Sequence, residues 1–291
     1  MTRVVVTLGP VSADPVIVDP SRPVLHADDL GGVRGDGVFE TILVRDGRAC
    51  RLDAHLARLA ESASMLDLAE PDADKWRRAV TTALAQWKKT GGGEGAMRLF
   101  LSRGREFGGA DSSETALVTV SEVADRVSRA RTDGVSAMTL ARGYSIDAGQ
   151  KSPWTLLGAK TLSYATNMAA LRHAAREGFD DVVFRSTEGF ALEGPRSTIM
   201  ALTDGRLTTP PVEHGVLRGT TVDAVFEIAA DAGFECEHEP MRIADLILAD
   251  SVWLVSSVTL AARVHTLDST TYRSRPSDVT VSELVDKAIA R

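Results

Sequence analysis

The sequence predicts an α+β fold in two domains, and three observations carry that expectation. Strand-like runs bounded by turn residues alternate with amphipathic helices, but not in the regular βαβα order of a doubly wound sheet. No internal repeat recurs at a fixed period. The 291 residues exceed the roughly 100–200 of one domain, and a polar stretch from Ser121 to Asp133 with an Arg-rich interior separates two halves. The expected division is a first domain at 1–122, a linker at 123–133 and a second domain at 134–291.

Each element follows from local pattern. Val38 to Val44 is β-branched and apolar, Asp46-Gly47 is a hairpin turn, and Arg48 to Leu52 returns as the partner strand. Asp53 can cap a helix in which Leu56, Leu59, Ala60, Ala63 and Leu66 recur at helical spacing. A second helix fits Asp72 to Lys89, with Trp76, Ala79, Val80, Ala83, Leu84 and Trp87 on one side and Gly91-Gly92-Gly93 at its end. Met97 to Ser102 and Thr115 to Val120 read as strands. The second half opens with a strand at Val135 to Ala141 and a loop through Gly143 to Gly158. A helix is expected from Lys160 to Glu177, with Gly178 as its C-cap. Asp180 to Phe184, Phe190 to Glu193 and Thr198 to Thr203 read as short strands, and Asp204-Gly205 as another turn. A helix at Gly219 to Ala232 closed by Gly233, strands at Ser251 to Ser256 and Leu260 to Leu267, and a last helix at Val281 to Ala290 complete the chain.

Composition narrows the function classes. With 44% hydrophobic and 25% charged residues, collagen, disorder and a disulfide scaffold are excluded. The 33 basic and 40 acidic side chains sum to −7, which points to small-molecule partners rather than nucleic acid. Cys50 and Cys236 read as buried small hydrophobes in a reducing compartment. The apolar run Val4 to Leu8, before Gly9-Pro10, is short of a signal-peptide core, and nothing approaches about 18 apolar residues, so a cytoplasmic protein without a membrane segment is expected.

Gly32 to Gly37 is glycine-dense but precedes a strand, whereas a phosphate loop follows one and opens a helix. The six histidines show no zinc spacing, so no metal is expected, and Ser163, Ser256 and Ser257 lack a nucleophile-elbow context. Lys160 stands between a loop and an apolar helix, either as a helix-start lysine reaching water or as a functional amine. Glu193 ends an apolar run before Gly194-Pro195-Arg196, as a cap or as the buried partner of a cation. Arg58 follows His55 by three residues on an amphipathic helix, where a surface position is the simple reading. Gly215 to Thr221 leads into a helix whose exposed N–H groups form a plausible anion site.

In order and spacing these signals resemble the fold-type IV pyridoxal-phosphate enzymes, which include branched-chain and D-amino acid aminotransferases and aminodeoxychorismate lyases. The resemblance runs nearly end to end, through Gly35-Asp36-Gly37-Val38-Phe39-Glu40-Thr41, Arg51 to Leu59, Ser102-Arg103-Gly104, Lys160-Thr161-Leu162, Leu192-Glu193-Gly194 and Gly215-Val216-Leu217-Arg218. It implies the two-domain α+β architecture of that family, a site at the domain interface, pyridoxal 5'-phosphate as cofactor and a homodimer. By the same resemblance Lys160 would bond to the cofactor aldehyde and then shuttle protons, its pKa lowered by burial and by the cofactor cation. Glu193 would keep the pyridine nitrogen protonated. Arg58 would pair with the phosphate, the amides of Val216 and Leu217 at a helix start would complete its cradle, and Ser257 and Val258 would add contacts.

The reaction depends on substrate contacts. The Arg-x-His carboxylate trap of the D-amino acid aminotransferases is absent, because Ser102-Arg103-Gly104 is followed by Arg105-Glu106-Phe107-Gly108-Gly109-Ala110. Ser-Arg-Gly with a following Gly-Gly resembles the lyases, while Glu40-Thr41 resembles the aminotransferases. The overall pattern is most similar to actinobacterial aminodeoxychorismate lyases, which implies release of p-aminobenzoate and pyruvate in folate biosynthesis. The alternative is an aminotransferase for branched-chain or D-amino acids. A third reading, a non-catalytic relative, is disfavoured because Lys160, Glu193 and Arg58 are all present.

Overall fold

The structure, a computed structural model, describes residues 3–9, 14–108 and 113–291. Pro10, Gly109 and Ala110, which figure in the readings above, lie outside the described residues. The chain forms two compact units, one of Met1–Ala124 with Ala159–Tyr164, the other of Asp125–Gly158 with Ala165–Arg291. Both are mixed helix and sheet, the α+β class expected.

The first unit contains β1 (Arg3–Leu8), β2 (Val16–Val18), α1 (Leu30–Val33), β3 (Gly37–Arg45), β4 (Arg48–Ala49), α2 (Leu52–Met65), α3 (Ala73–Lys89), β5 (Gly95–Ser102) and β6 (Thr115–Glu122). Its sheet runs β2-β1-β6-β5-β3-β4 and is antiparallel throughout. α2 packs on β3 and α3 on β1 and β6. Ile42, Leu59, Trp76, Trp87, Met97 and Leu99 form the buried interior. Asp72, read as the first residue of this helix, is its N-cap, accepting from the N–H groups of Asp74 and Lys75. The return strand β4 is only two residues long, because the chain turns into α2 at Leu52. Asp53 is therefore inside the first turn, and the cap position belongs to Arg51 in a left-handed conformation without a side-chain cap.

The glycine-dense segment makes the one-turn helix α1, capped by Asp29, and then enters β3. A side chain at Gly37 would run into the carbonyl of Leu101 on β5, so glycine is required where β3 begins.

The second unit contains α4 (Asp125–Thr132), β7 (Val135–Ala141), α5 (Ala148–Lys151), α6 (Ala165–Arg176), β8 (Asp181–Arg185), β9 (Thr198–Thr203), β10 (Arg206–Thr209), α7 (Thr220–Ala229), β11 (Glu235–His238), α8 (Ile243–Leu248), β12 (Ser251–Ser256), β13 (Leu260–Leu267), β14 (Thr270–Thr271) and α9 (Pro276–Ala290). Its sheet runs β11-β10-β9-β12-β13-β7-β8, with β14 added on β13. The pairs β10/β11, β13/β7 and β7/β8 are parallel, and α7 and α6 lie in the crossovers of the first and last of these. Ile199, Val252, Leu254, Val264 and Leu267 centre its core.

Four local expectations change. Most of the polar stretch read as a linker is the helix α4, on which Val127 is buried. Phe190 to Glu193 makes only isolated bridges, Arg185 with Ala191 and Phe190 with Arg242, instead of a strand of its own. The last helix starts at Pro276, where proline suits a first helical position, rather than at Val281. Cys50 and Cys236 are half-buried rather than buried, yet burial still pushes both thiols up, Cys236 to about 11.

Candidate functional site

Lys160 is not at the start of a helix, since α6 begins only at Ala165. The N–H of Phe39 donates to the Lys160 carbonyl at 3.0 Å, that of Leu162 donates to Gly37 at 2.8 Å, and Val38 bridges Thr161. This extended segment lies beside the first residues of β3, and sheet pairing overrides whatever helical preference it carries. The Lys160 N–H also donates to Ser62 Oγ on α2 at 3.1 Å, so helix and sheet together hold the lysine backbone. Alternation along paired strands puts Lys160 and Phe39 on the same face. The Lys160 Nζ stands 4.6 Å from the Phe39 ring centroid and 6.0 Å from that of Tyr164, whose ring meets Phe39 edge-on at 5.4 Å.

Arg98 belongs to that face. It lies opposite Thr41 on β5, its guanidinium carbon is 5.7 Å from the Phe39 centroid, and it makes no ion pair among the described residues. Two cations thus flank one aromatic ring.

The other face of β3 is buried and carries Val38, Glu40, Ile42 and Val44. Glu40, with 0% exposure, would be untenable alone in that row, but α2 presents His55 and Arg58 to it. Arg58 donates from Nε to Oε1 and from Nη2 to Oε2, each at 2.7 Å, and His55 Nδ1 is 2.7 Å from Oε2. Burial pushes the Glu40 carboxyl up, but the Arg58 guanidinium and then the His55 ring outweigh it and hold the group down at about 2. Burial lowers His55 despite its bond to Glu40, and the Arg58 and Lys160 cations lower it further. A neutral ring bearing its proton on Nδ1 then donates to the carboxylate. Arg58 is accordingly a buried arginine, 7% exposed, and not the surface residue its helix position first suggested.

Further groups gather in the second unit. The Glu193 backbone pairs with Phe184, whose N–H donates to the Glu193 carbonyl at 2.9 Å, and Glu193 Oε2 accepts the Leu217 N–H at 3.0 Å. Two residues singled out separately in the sequence, 24 positions apart, therefore meet directly. Burial, followed by the Glu193 charge, pushes the neighbouring Tyr144 phenol up to about 12. Val216 and Leu217 lead into α7 without belonging to it. They occupy the loop between Gly215, in a left-handed conformation, and the Gly219 cap of α7. Gly219 has no side chain to satisfy the first N–H groups, and Thr221 Oγ1 in the first turn is buried with no hydrogen-bond partner. Ser257 and Val258 lie in the turn between β12 and β13, where the Val258 carbonyl accepts from Arg131 Nη2 at 2.5 Å.

The sequence alone assigned no role to Phe39, Tyr164, Arg98 or Tyr144 and did not pair Glu40 with His55. One signal was available: His55, Arg58 and Ser62 share the buried side of α2 at spacings of three and four, and charge on a buried helix face demands a partner. The arginines of Ser102-Arg103-Gly104-Arg105 are engaged elsewhere, Arg103 with Asp36 and the Leu66 carbonyl and Arg105 with Asp28. Among the described residues no group of three His, Cys, Asp or Glu could hold a metal ion, and no helix is long and apolar enough to cross a membrane.

A family model described as amino-transferase class IV matches residues 37–267. A bifunctional aminodeoxychorismate lyase / D-amino acid transaminase from Mycobacterium tuberculosis is 54% identical over 286 residues, covering 96% of this chain and 98% of that protein. Among solved structures, the PLP-bound form of a hypothetical aminotransferase from Mycobacterium tuberculosis superposes with a TM-score of 0.94 at 55% identity, covering 99% of each chain. A fold IV-transaminase from Curtobacterium pusillum superposes with a TM-score of 0.92 at 42% identity over 100% of both chains.

Proposed function

Since the chain belongs to the class IV aminotransferase family and is therefore a pyridoxal 5'-phosphate enzyme, we propose that it is an aminodeoxychorismate lyase that also transaminates D-amino acids. The observation that carries this reading is the 54% identity, over 96% of the chain, to a protein bearing both activities in its name. Lyase and D-amino acid transaminase reactions are then two outcomes at one site. The same reading makes the protein a cytoplasmic homodimer in folate biosynthesis that acts on small molecules.

The residues fit the cofactor. They offer an amine beside aromatic rings, a buried cation, a carboxylate, and an orphaned hydroxyl at an uncapped helix start. We read Lys160, Glu193, Arg58, Val216, Leu217, Ser257 and Val258 as the cofactor contacts, at its aldehyde carbon, ring nitrogen and phosphate. When bound, the cofactor supplies an electron sink for charge developing at the reacting carbon. Lys160 Nζ would take the proton from the substrate carbon that bears the amine; in the lyase reaction that proton would go to the departing enolpyruvyl group as it leaves as pyruvate, and in the oxo-acid half of a transamination Lys160 would deliver a proton to the carbon that gains the amine. Phe39 and Tyr164 confine that amine and exclude water from one side. Glu40 holds the Arg58 guanidinium by two of its nitrogens, which fixes the plane in which Arg58 meets a phosphate. The Leu217 N–H is held by Glu193 Oε2, so a contact of that amide with the phosphate would replace this hydrogen bond. Arg98 is the cation for the substrate carboxylate, because Arg103 and Arg105 are already committed.

The test is the visible absorption of the protein loaded with pyridoxal phosphate, before and after L- and D-amino acids, alongside assays of p-aminobenzoate and pyruvate released from aminodeoxychorismate. Bleaching by D-amino acids together with stoichiometric p-aminobenzoate and pyruvate is the expected result. Bleaching without release would leave only an aminotransferase, and a protein that develops no visible band would end the reading.

A further inference from the structure

A cleft of about 140 Å³ in the second unit, lined by Arg126 and Arg129 of α4, Arg196, Asp181, Ser197, Ser256 and others, belongs to none of the groups above. Neither Arg126 nor Arg129 makes a side-chain hydrogen bond or ion pair among the described residues. Arg196 reaches Asp181 only at 3.4 Å. Ser197 Oγ is buried without a partner, and Ser256 Oγ accepts from the Thr259 N–H, leaving its own proton to be donated. Of the two carboxylates at the cleft, Asp180 is already bonded to the N–H and hydroxyl of Ser136. Burial raises the Asp181 carboxyl in spite of Arg196, and burial followed by the Arg196 cation lowers Arg126. Like charges crowd together here, beside hydroxyl donors that lack an acceptor.

We propose that this cleft is a binding site for a small oxyanion, a carboxylate or phosphate, held by Arg126, Arg129 and Arg196 with the hydroxyls of Ser197 and Ser256. Guanidinium groups suit the chemistry, since their planar donors meet two oxygens at once. An anion would neutralise the Arg126–Arg196 repulsion and satisfy Ser197. The cleft is small enough to select the charged end of a ligand rather than its body. That end is either one carboxylate of a dicarboxylic substrate or a separate free anion. Ser197 follows Glu193 by four residues and Ser256 precedes Ser257, so an anion here would lie close in sequence to two of the proposed cofactor contacts.

The experiment is calorimetric titration of the PLP-loaded protein with glutarate and with inorganic phosphate at fixed ionic strength, for the unmodified chain, Arg126→Gln and Arg129→Gln. Both positions are on the exposed side of α4, so the fold should survive, and circular dichroism checks it. Saturable binding weakened about tenfold or more in Arg126→Gln is expected. No saturable binding, or equal affinity in all three proteins, overturns the site. Kinetics with phosphate as competitor identify the source. A rise in KM for a dicarboxylic but not a monocarboxylic oxo acid assigns the cleft to substrate, and no change in either, with binding intact, assigns it to a free anion. An enzyme inactive on every oxo acid would count against the transaminase reading while leaving the binding result standing.

Discussion

Replacing Glu40 with Gln tests the electrostatic arrangement beneath Lys160. The carboxyl is held from 4.5 down to about 2 in the folded protein, which at about 1.4 kcal/mol per pH unit corresponds to about 3 kcal/mol of stability. Removing the charge also leaves Arg58 buried without its bidentate acceptor, and breaking one side of a buried pair costs about 3–5 kcal/mol. These two figures describe one interaction from its two sides, so Glu40→Gln should lose about 3–5 kcal/mol in total. The sign of the pH dependence follows from a depressed carboxylate. The contribution is complete above the unfolded value of 4.5 and is lost as pH falls through about 2, with about 1 kcal/mol lost between about pH 4.5 and about pH 3.5. Urea unfolding of the apoprotein measures both quantities, and Arg58→Met in the Glu40→Gln background should recover part of the loss by removing the buried cation that has lost its carboxylate. A deficit under about 1 kcal/mol at neutral pH, or one that stays constant down to about pH 3.5, would refute the reasoning.

Lys160→Ala should abolish turnover and the visible band of the loaded enzyme while leaving the unfolding midpoint nearly unchanged, because the sheet and Ser62 hold the backbone rather than the side chain; retained turnover would remove Lys160 from the chemistry. Arg98→Met should raise KM for carboxylate substrates by about tenfold or more while sparing cofactor affinity, since Arg98 is exposed and unpaired among the described residues; an unchanged KM would show that the substrate carboxylate goes elsewhere. Glu193→Gln should reduce kcat more than cofactor affinity. It should also let the Tyr144 phenol titrate below its present value of about 12, though still above an ordinary tyrosine because its burial persists. Tyrosinate absorbance against pH follows that shift, and no movement would separate Tyr144 from Glu193.

The amino-acid sequence by itself determined the features whose physics is local. The Asp46-Gly47 hairpin, the span of α3, Gly178 at a left-handed helix end, and the bounds of β7, β9, β12 and β13 depend on turn chemistry and side-chain period within a few residues. The ordered series of motifs carried the family and its cofactor, because a spacing preserved along the whole chain is itself a property of sequence. Tertiary structure alone decided where Lys160 belongs. Its neighbours have no local reason to be extended, and only pairing with β3, more than 120 residues earlier, draws the segment out of the helix it otherwise resembles. The same holds for Arg58, whose charge pointed to a surface until β3 set Glu40 in a buried row facing α2. It holds again for Glu193 and Leu217, which meet because β8 and the loop before α7 converge. Periodicity records which face of an element is apolar, but the partner that makes a buried charge tolerable lies on another element, and only packing of the chain brings the two within hydrogen-bond reach.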